Sequence, residues 1–416
     1  KAMAAKRRGV DLLFQDAVAA LQRAVELDGG PAGPRQKLAE AQFQSGNADG
    51  AARTLSALLL HLQSQGGGKP DELLALHTLR ATTGALSYSQ KKSNNEDDKD
   101  LLAALRASFR FLEEKGKLLE DLKAKGQVEG SMLSSWATAE AWSGAGAEAV
   151  NVYARALAKD PENNQLLGAV VSTAYAQKQM PAAVEALAKR TDATGLWWLG
   201  EARFWHADGE RNAGRPADAL KVLDAAREAF QASLQKNAGF KDSCEQKIAW
   251  CLGKKGCIAA SGDDLATAEK WLLESAKMRP DRIADDLGSQ ESTKLGILTL
   301  VDKFMKKNDL GKVEAISRAA ADAANGDVDL LNNAGLFARD WGNQLERSGK
   351  KKEADEMYEQ SYKAYRRAQQ LDPTNVRLRN DCALIAIYHL DRDWDDTKKP
   401  LDSAIADGEK TLRDNP

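Results

Sequence analysis

The chain has 416 residues, too many for one compact helical core, so it must form several domains or one extended array. Its 59 lysines and arginines are interspersed with 61 acidic residues, which gives no electrostatic reason to expect a nucleic-acid or polyanionic membrane partner. No apolar run approaches the ~20 residues of a membrane span; the longest, residues 55–62, is interrupted by Ser56 and His61, so a soluble chain without membrane insertion is expected, cytoplasmic or periplasmic.

Residues 16–27 read as the returning helix of a unit whose first helix, within residues 1–13, is short or incomplete, and the array is expected to continue upstream of Lys1. Residues 34–62 follow as a helix pair containing Ala39, Gly46 and Ala51, which completes an N-terminal block at 1–64. That spacing, a small residue, glycine seven on and alanine five further, describes a helical hairpin. The first residue admits a neighbouring helix, the glycine takes the left-handed conformation that ends a helix, and the alanine starts the returning helix against its partner. Residues 66–70, GGGKP, form a flexible break, and 65–130 read as a long-helix hairpin. Its polar run at 89–100, SQKKSNNEDDKD, has no apolar face to bury and is expected to be a surface loop.

Residues 132–161 are the clearest unit. Trp136 and Ala137 lie inside the first helix, Gly144 and Gly146 make the turn, and Ala149, Tyr153 and Ala156 form a stripe at i, i+4, i+7 on the second. Asp160-Pro161 then stops the helix, because proline cannot donate a backbone hydrogen bond and disfavours a helical residue before it. This order of residues resembles the tetratricopeptide repeat family. The resemblance implies a right-handed superhelix of antiparallel helix pairs whose first helices line a concave surface that holds a peptide or partner protein.

The spacing continues as Val171, Lys178, Ala183; as Ala207, Gly214, Ala219; as Val301, Asn308, Val313; and as Gly342, Gly349, Ala354. Asp372-Pro373 closes a unit after the stripe Tyr358, Tyr362, Tyr365, Ala368. The expected fold is an all-α solenoid of about nine helix pairs, with the best-matching repeats at 131–236 and elongated ones at 237–416. The abundance of alanine and glycine is read as that of a bacterial, high-GC coding sequence.

Catalysis needs converging acids, bases or nucleophiles. The four histidines, His61, His77, His206 and His389, have no metal-ligand spacing, and no phosphate loop or nucleophile elbow is present. No catalytic residue, metal or cofactor is therefore assigned. The run Asp391, Asp393, Asp395, Asp396 with Asp402 partly matches a calcium loop, but it lacks the central glycine and the final glutamate, so it reads as a solvated acidic loop. Cys244, Cys251 and Cys257 sit too far apart on one helix to pair unless it breaks at Gly253 or Gly256, and Cys382 reads as a buried free thiol.

Two constellations suit partner binding. Trp197, Trp198, Phe204 and Trp205 occupy adjacent faces of one helix, one able to pack in the core and the other to meet a groove. Asn332, Leu336, Arg339 and Asn343 share a face, with Arg377, Asn380 and Asp381 on the next first helix; hydrogen bonding between helices is the competing reading. The residues loosely resemble the family's carboxylate clamp, but Leu295, Leu298 and Asp302 stand where it would want lysine or asparagine.

The expected function is a non-catalytic protein- or peptide-binding scaffold with groove contacts at Gln36, Thr138, Trp142, Ser172, Tyr175, Phe204, Arg211, Arg339, Asn343 and Asn380. The alternatives are a structural subunit packed edge to edge in a homo- or hetero-oligomer, and the regulatory segment of a larger enzyme such as a kinase.

Overall fold

The computed structural model describes residues 2–28, 32–115, 132–159, 163–288, 290–392 and residues 402, 405, 406 and 409. Among them the chain is all α, with eighteen α-helices, two 3-10 turns and no strand, the number that nine pairs require. It divides into two compact units, Lys1–Trp205 and His206–Pro416. The first holds α1 (Ala2–Asp28), α2 (Ala32–Gln44), α3 (Ala48–Ser64), α4 (Pro70–Ser93), α5 (Lys99–Glu114), α6 (Met132–Trp142), α7 (Gly146–Lys159), α8 (Asn164–Ala176) and α9 (Met180–Leu187). The boundary falls inside α10 (Ala193–Asn212). The second unit continues with α11 (Pro216–Lys236), α12 (Lys241–Ser261), α13 (Leu265–Met278), α14 (Thr293–Lys306), α15 (Leu310–Ala323), α16 (Val328–Arg347), α17 (Lys351–Leu371) and α18 (Val376–Tyr388).

Eight turns join the pairs α2–α3, α4–α5, α6–α7, α8–α9, α10–α11, α12–α13, α14–α15 and α16–α17, and each contains one left-handed residue: Gly46, Asn95, Gly144, Lys178, Gly214, Asp263, Asn308 and Gly349, with φ between 55° and 85°. The amide that follows each of them donates to the carbonyl five positions earlier at 2.7–3.1 Å, which satisfies an orphan carbonyl of the ending helix. Six of these positions are the ones the spacing marks. The alanines and valine five residues on, Ala51, Ala149, Ala183, Ala219, Val313 and Ala354, are all 0% exposed, because each lies in the seam of its hairpin. At Gly342 a Cβ would stand 2.7 Å from Tyr358 Cε1, so only glycine lets α17 approach α16 this closely.

Lys178 and Asn308 hold the left-handed conformation without being glycine. A Cβ there costs roughly 1–2 kcal/mol, partly offset by the entropy that glycine loses on folding. Lys178→Gly should therefore stabilise the first unit by about 1 kcal/mol; a lower urea midpoint for the variant would contradict this.

Two expectations are corrected. The polar run at 89–100 is mostly helical, because α4 continues to Ser93 and α5 starts at Lys99. Its charges have partners on neighbouring helices: Lys91 Nζ lies 3.1 Å from Asp49 Oδ1 and 2.8 Å from Asp98 Oδ2, and Asp98 caps α5 through the Leu101 amide. Residues 16–27 are not a separate returning helix, since α1 is one unbroken helix from Ala2. Asp160-Pro161, residues 393–401 and the C-terminal Asn-Pro lie outside the described residues.

In the first unit, Leu55, Leu58, Leu59 and Leu62 of α3 pack with Ala39 and Leu76. Phe109 stacks on Trp136 with ring centroids 5.2 Å apart, and the buried Glu140 receives Arg106 Nε at 2.9 Å and Trp136 Nε1 at 3.1 Å. His77 is also buried: it stacks on Phe111, and its Nδ1 lies 3.1 Å from Ser108 Oγ, which accepts from Arg80 Nε at 2.6 Å. Desolvation first, and the Arg80 charge second, push the His77 pKa down to about 4 from 6.5. A base with a lowered folded pKa stabilises the fold above its unfolded pKa and loses that contribution as pH falls through the folded value. Acidification from pH 6.5 to 4 should cost this unit on the order of 3 kcal/mol, and His77→Gln should flatten the slope of stability against pH in that window.

In the second unit one continuous core runs from Leu272 through Ile297, Leu300, Ile316 and Leu330 to Ile385. Buried hydroxyls tie its helices together: Ser275 Oγ donates to Ala249 O at 2.8 Å and Ser361 Oγ to Gly335 O at 2.7 Å. Cys244, Cys251, Cys257 and Cys382 are free and buried. Desolvation pushes the Cys257 thiol up to about 12 and Cys382 up to about 11, so both stay protonated and unreactive at neutral pH.

Candidate functional site

The hairpin turns place α6 and α8 as successive first helices of the first unit, and their outward faces hold four of the ten candidate residues. Thr138 and Trp142 are one turn apart on α6 and both exposed; Ser172 and Tyr175 stand likewise on α8. Trp142 is 40% exposed and Tyr175 57%, large values for aromatic residues on a helix that also contributes to a core. The Tyr175 ring meets the half-buried Trp205 of α10 edge-on, with centroids 5.1 Å apart and planes at 63°. The Tyr175 and Trp205 rings thus meet between the consecutive first helices α8 and α10, while Trp142 stands exposed on α6. Flat, stiff side chains lose little entropy when they bind, and these rings can cover an aliphatic or aromatic group of a partner.

Phe204 is the clear correction. It is fully buried and meets Trp205 at 5.2 Å with planes at 85°, so it supports the aromatic face from beneath and cannot touch a partner. The periodic pair 198 and 205 is half-buried at both positions, and Trp198 lies over Gly168 of α8, where a Cβ would come within 3.2 Å of its Cζ2. Gln36, on α2, is half-buried and donates to Glu40 Oε1 at 3.0 Å.

The remaining four candidates lie in the second unit and already hold partners or are partly covered. Arg211 is ion-paired with Glu291. Arg339 gives Asp340 Oδ1 two hydrogen bonds, at 3.0 and 2.9 Å; burial opposes its charge, yet those bonds hold its pKa above the usual guanidinium value. Asn343 Oδ1 accepts from Tyr358 Oη at 3.0 Å, within the α16–α17 hairpin. Asn380 is half-buried on α18. The candidate set omits Trp205, because periodicity gives two faces without saying which is covered.

Among the described residues no group of three or more His, Cys, Asp or Glu could hold a metal ion, and no helix is long and apolar enough to cross a membrane. Asp391 is described but most of the acidic run after it is not.

Repeated helix pairs with left-handed turns and alanine seams define an α-helical repeat protein. Residues 13–66 match the tetratricopeptide repeat family model. The match falls on α1 to α3, not on the 132–161 unit that reads most clearly by eye. No curated protein matches the chain. Among solved structures, a chain of Naa15/Naa10 bound to HypK-THB is 12% identical, with 90% of this chain covered and a TM-score of 0.30; the alignment spans 58% of that chain's length. Yeast Tom70 is 11% identical, with 99% of this chain and 96% of that chain covered and a TM-score of 0.22. The C-terminal part of a TPR repeat-containing protein from Cytophaga hutchinsonii is 12% identical, with 65% and 92% covered and a TM-score of 0.27. At these TM-scores the similarities carry nothing about function.

Proposed function

We propose that this protein is a non-catalytic scaffold that holds another protein or a peptide against the first-helix face of its N-terminal unit. The observation that carries the reading is the exposure of Trp142 and Tyr175 beside Thr138 and Ser172, with Trp205 against Tyr175. Such a surface needs no induced rearrangement, because each ring is fixed by a hairpin whose seam is closed. Thr138 and Ser172 supply hydroxyls for a partner's backbone, and the rings supply apolar contact. The test is equilibrium binding of a peptide selected from a random library on the wild-type chain, repeated with the double variant Trp142→Ala/Tyr175→Ala.

A second reading, a subunit packed edge to edge, is favoured by Leu384 and Tyr388, which are 36% and 75% exposed one turn apart on α18. Light scattering separates the two, since an edge-packing subunit forms defined oligomers and a monomeric scaffold does not.

A further inference from the structure

The second unit contains a cavity of about 300 Å³ between α15, α16 and α17. It exists because α16 offers Ala334 and Ala338 beside Leu331 at its floor, where larger side chains would fill the space. This face of α16 differs from the one that bears Arg339 and Asn343: at 100° per residue the two stripes point well over a right angle apart. The cavity is therefore separate from the candidate contacts described above. Its size lies at the bottom of the roughly 300–1,000 Å³ range of ligand sites, enough for one aliphatic side chain and too small for a large cofactor.

Two features of the lining specify a ligand. The floor is apolar. At the rim Lys363 and Arg367 are exposed, and among the described residues neither lies within ion-pairing distance of a carboxylate. Across the cavity Glu314 is buried but already neutralised by Arg318, whose Nε lies 2.8 Å from Glu314 Oε1, which leaves Asp322 as the sole unpaired acid of the lining. An apolar slot and a surplus of positive charge together fit an acidic peptide. A free phosphate would use the cations but leave the apolar floor uncovered, and a slot of about 300 Å³ is too small for a pair of acyl chains.

We propose that this cavity docks an acidic peptide segment, with one aliphatic side chain on the alanine floor and carboxylates on Lys363 and Arg367. The probe is a fluorescein-labelled peptide Glu-Asp-Leu-Asp-Glu, followed by anisotropy with the full chain. Saturable binding is expected, weakened about tenfold or more by K363E/R367E and by glycine in place of the leucine. It should also weaken as salt rises, because the rim cations are exposed. Trp142→Ala should leave it unchanged, which separates this site from the first-helix face. Circular dichroism checks that K363E/R367E, at two exposed positions, remains folded. The proposal is overturned if the peptide fails to bind at up to about 1 mM, if K363E/R367E binds it within twofold of wild type, if Lys-Lys-Leu-Lys-Lys binds equally well, or if phosphatidylserine vesicles bind in its place.

Discussion

Phe204→Ala should destabilise the first unit by about 3–5 kcal/mol. Phe204 is 0% exposed, and truncation leaves a cavity beneath the aromatic face as well as losing the buried ring's transfer free energy. Neighbours can collapse only partly into the gap, because α8 and α10 are already in close contact at Gly168 and Trp198. Trp142→Ala removes a ring that is 40% exposed and should cost far less. Urea unfolding of the two variants distinguishes a core residue from a contact residue: weaker partner binding by Phe204→Ala at unchanged stability would return Phe204 to the groove.

Asp208→Ala should be equally severe in the second unit. Lys254 sits at the middle of α12 with its side chain 0% exposed, and its Nζ donates to Asp208 Oδ1 at 2.7 Å. Desolvation pulls the Lys254 pKa down, opposed by the Asp208 charge. Removing the carboxylate leaves a buried ammonium without this partner, at a cost of about 3–5 kcal/mol. The double variant Asp208→Ala/Lys254→Met removes the charge with its partner and should recover most of that loss, since an apolar replacement of a buried pair is often neutral. A cost below about 1 kcal/mol for Asp208→Ala would mean that the pair is dispensable. Lys255 follows a different course in the same helix: its Nζ reaches Asp224 and lies 4.0 Å from the Trp271 ring centroid.

The scaffold was legible because a hairpin constrains short-range spacing. Gly46, Gly144, Gly214 and Gly349 all adopt the left-handed conformation, and so do Lys178 and Asn308, where only the position and not the residue type announces the turn. Asp263 and Asn95 serve the same role and went unmarked; Asp263 even lies between Gly256 and Ala268 at the same intervals. What depends on contacts far apart in sequence was not legible. Lys254 and Lys255 look like a solvated pair until Asp208 and Asp224 are brought to them from 46 and 31 residues away. Polar residues 89–93 look like loop until Asp49, more than thirty residues earlier, receives Lys91. For the site, spacing identified two aromatic faces on α10, and only packing decided that Phe204 is covered while Trp205 is half-open.

The central claim is that the exposed aromatic residues of α6 and α8 hold a partner while the hairpins beneath them only support it. The most direct measurement is the dissociation constant of a library-selected peptide for wild type and for Trp142→Ala/Tyr175→Ala, with circular dichroism on both. Binding at least about tenfold weaker with unchanged helicity is the predicted result. A selected peptide that binds the double variant as tightly as wild type would contradict the account.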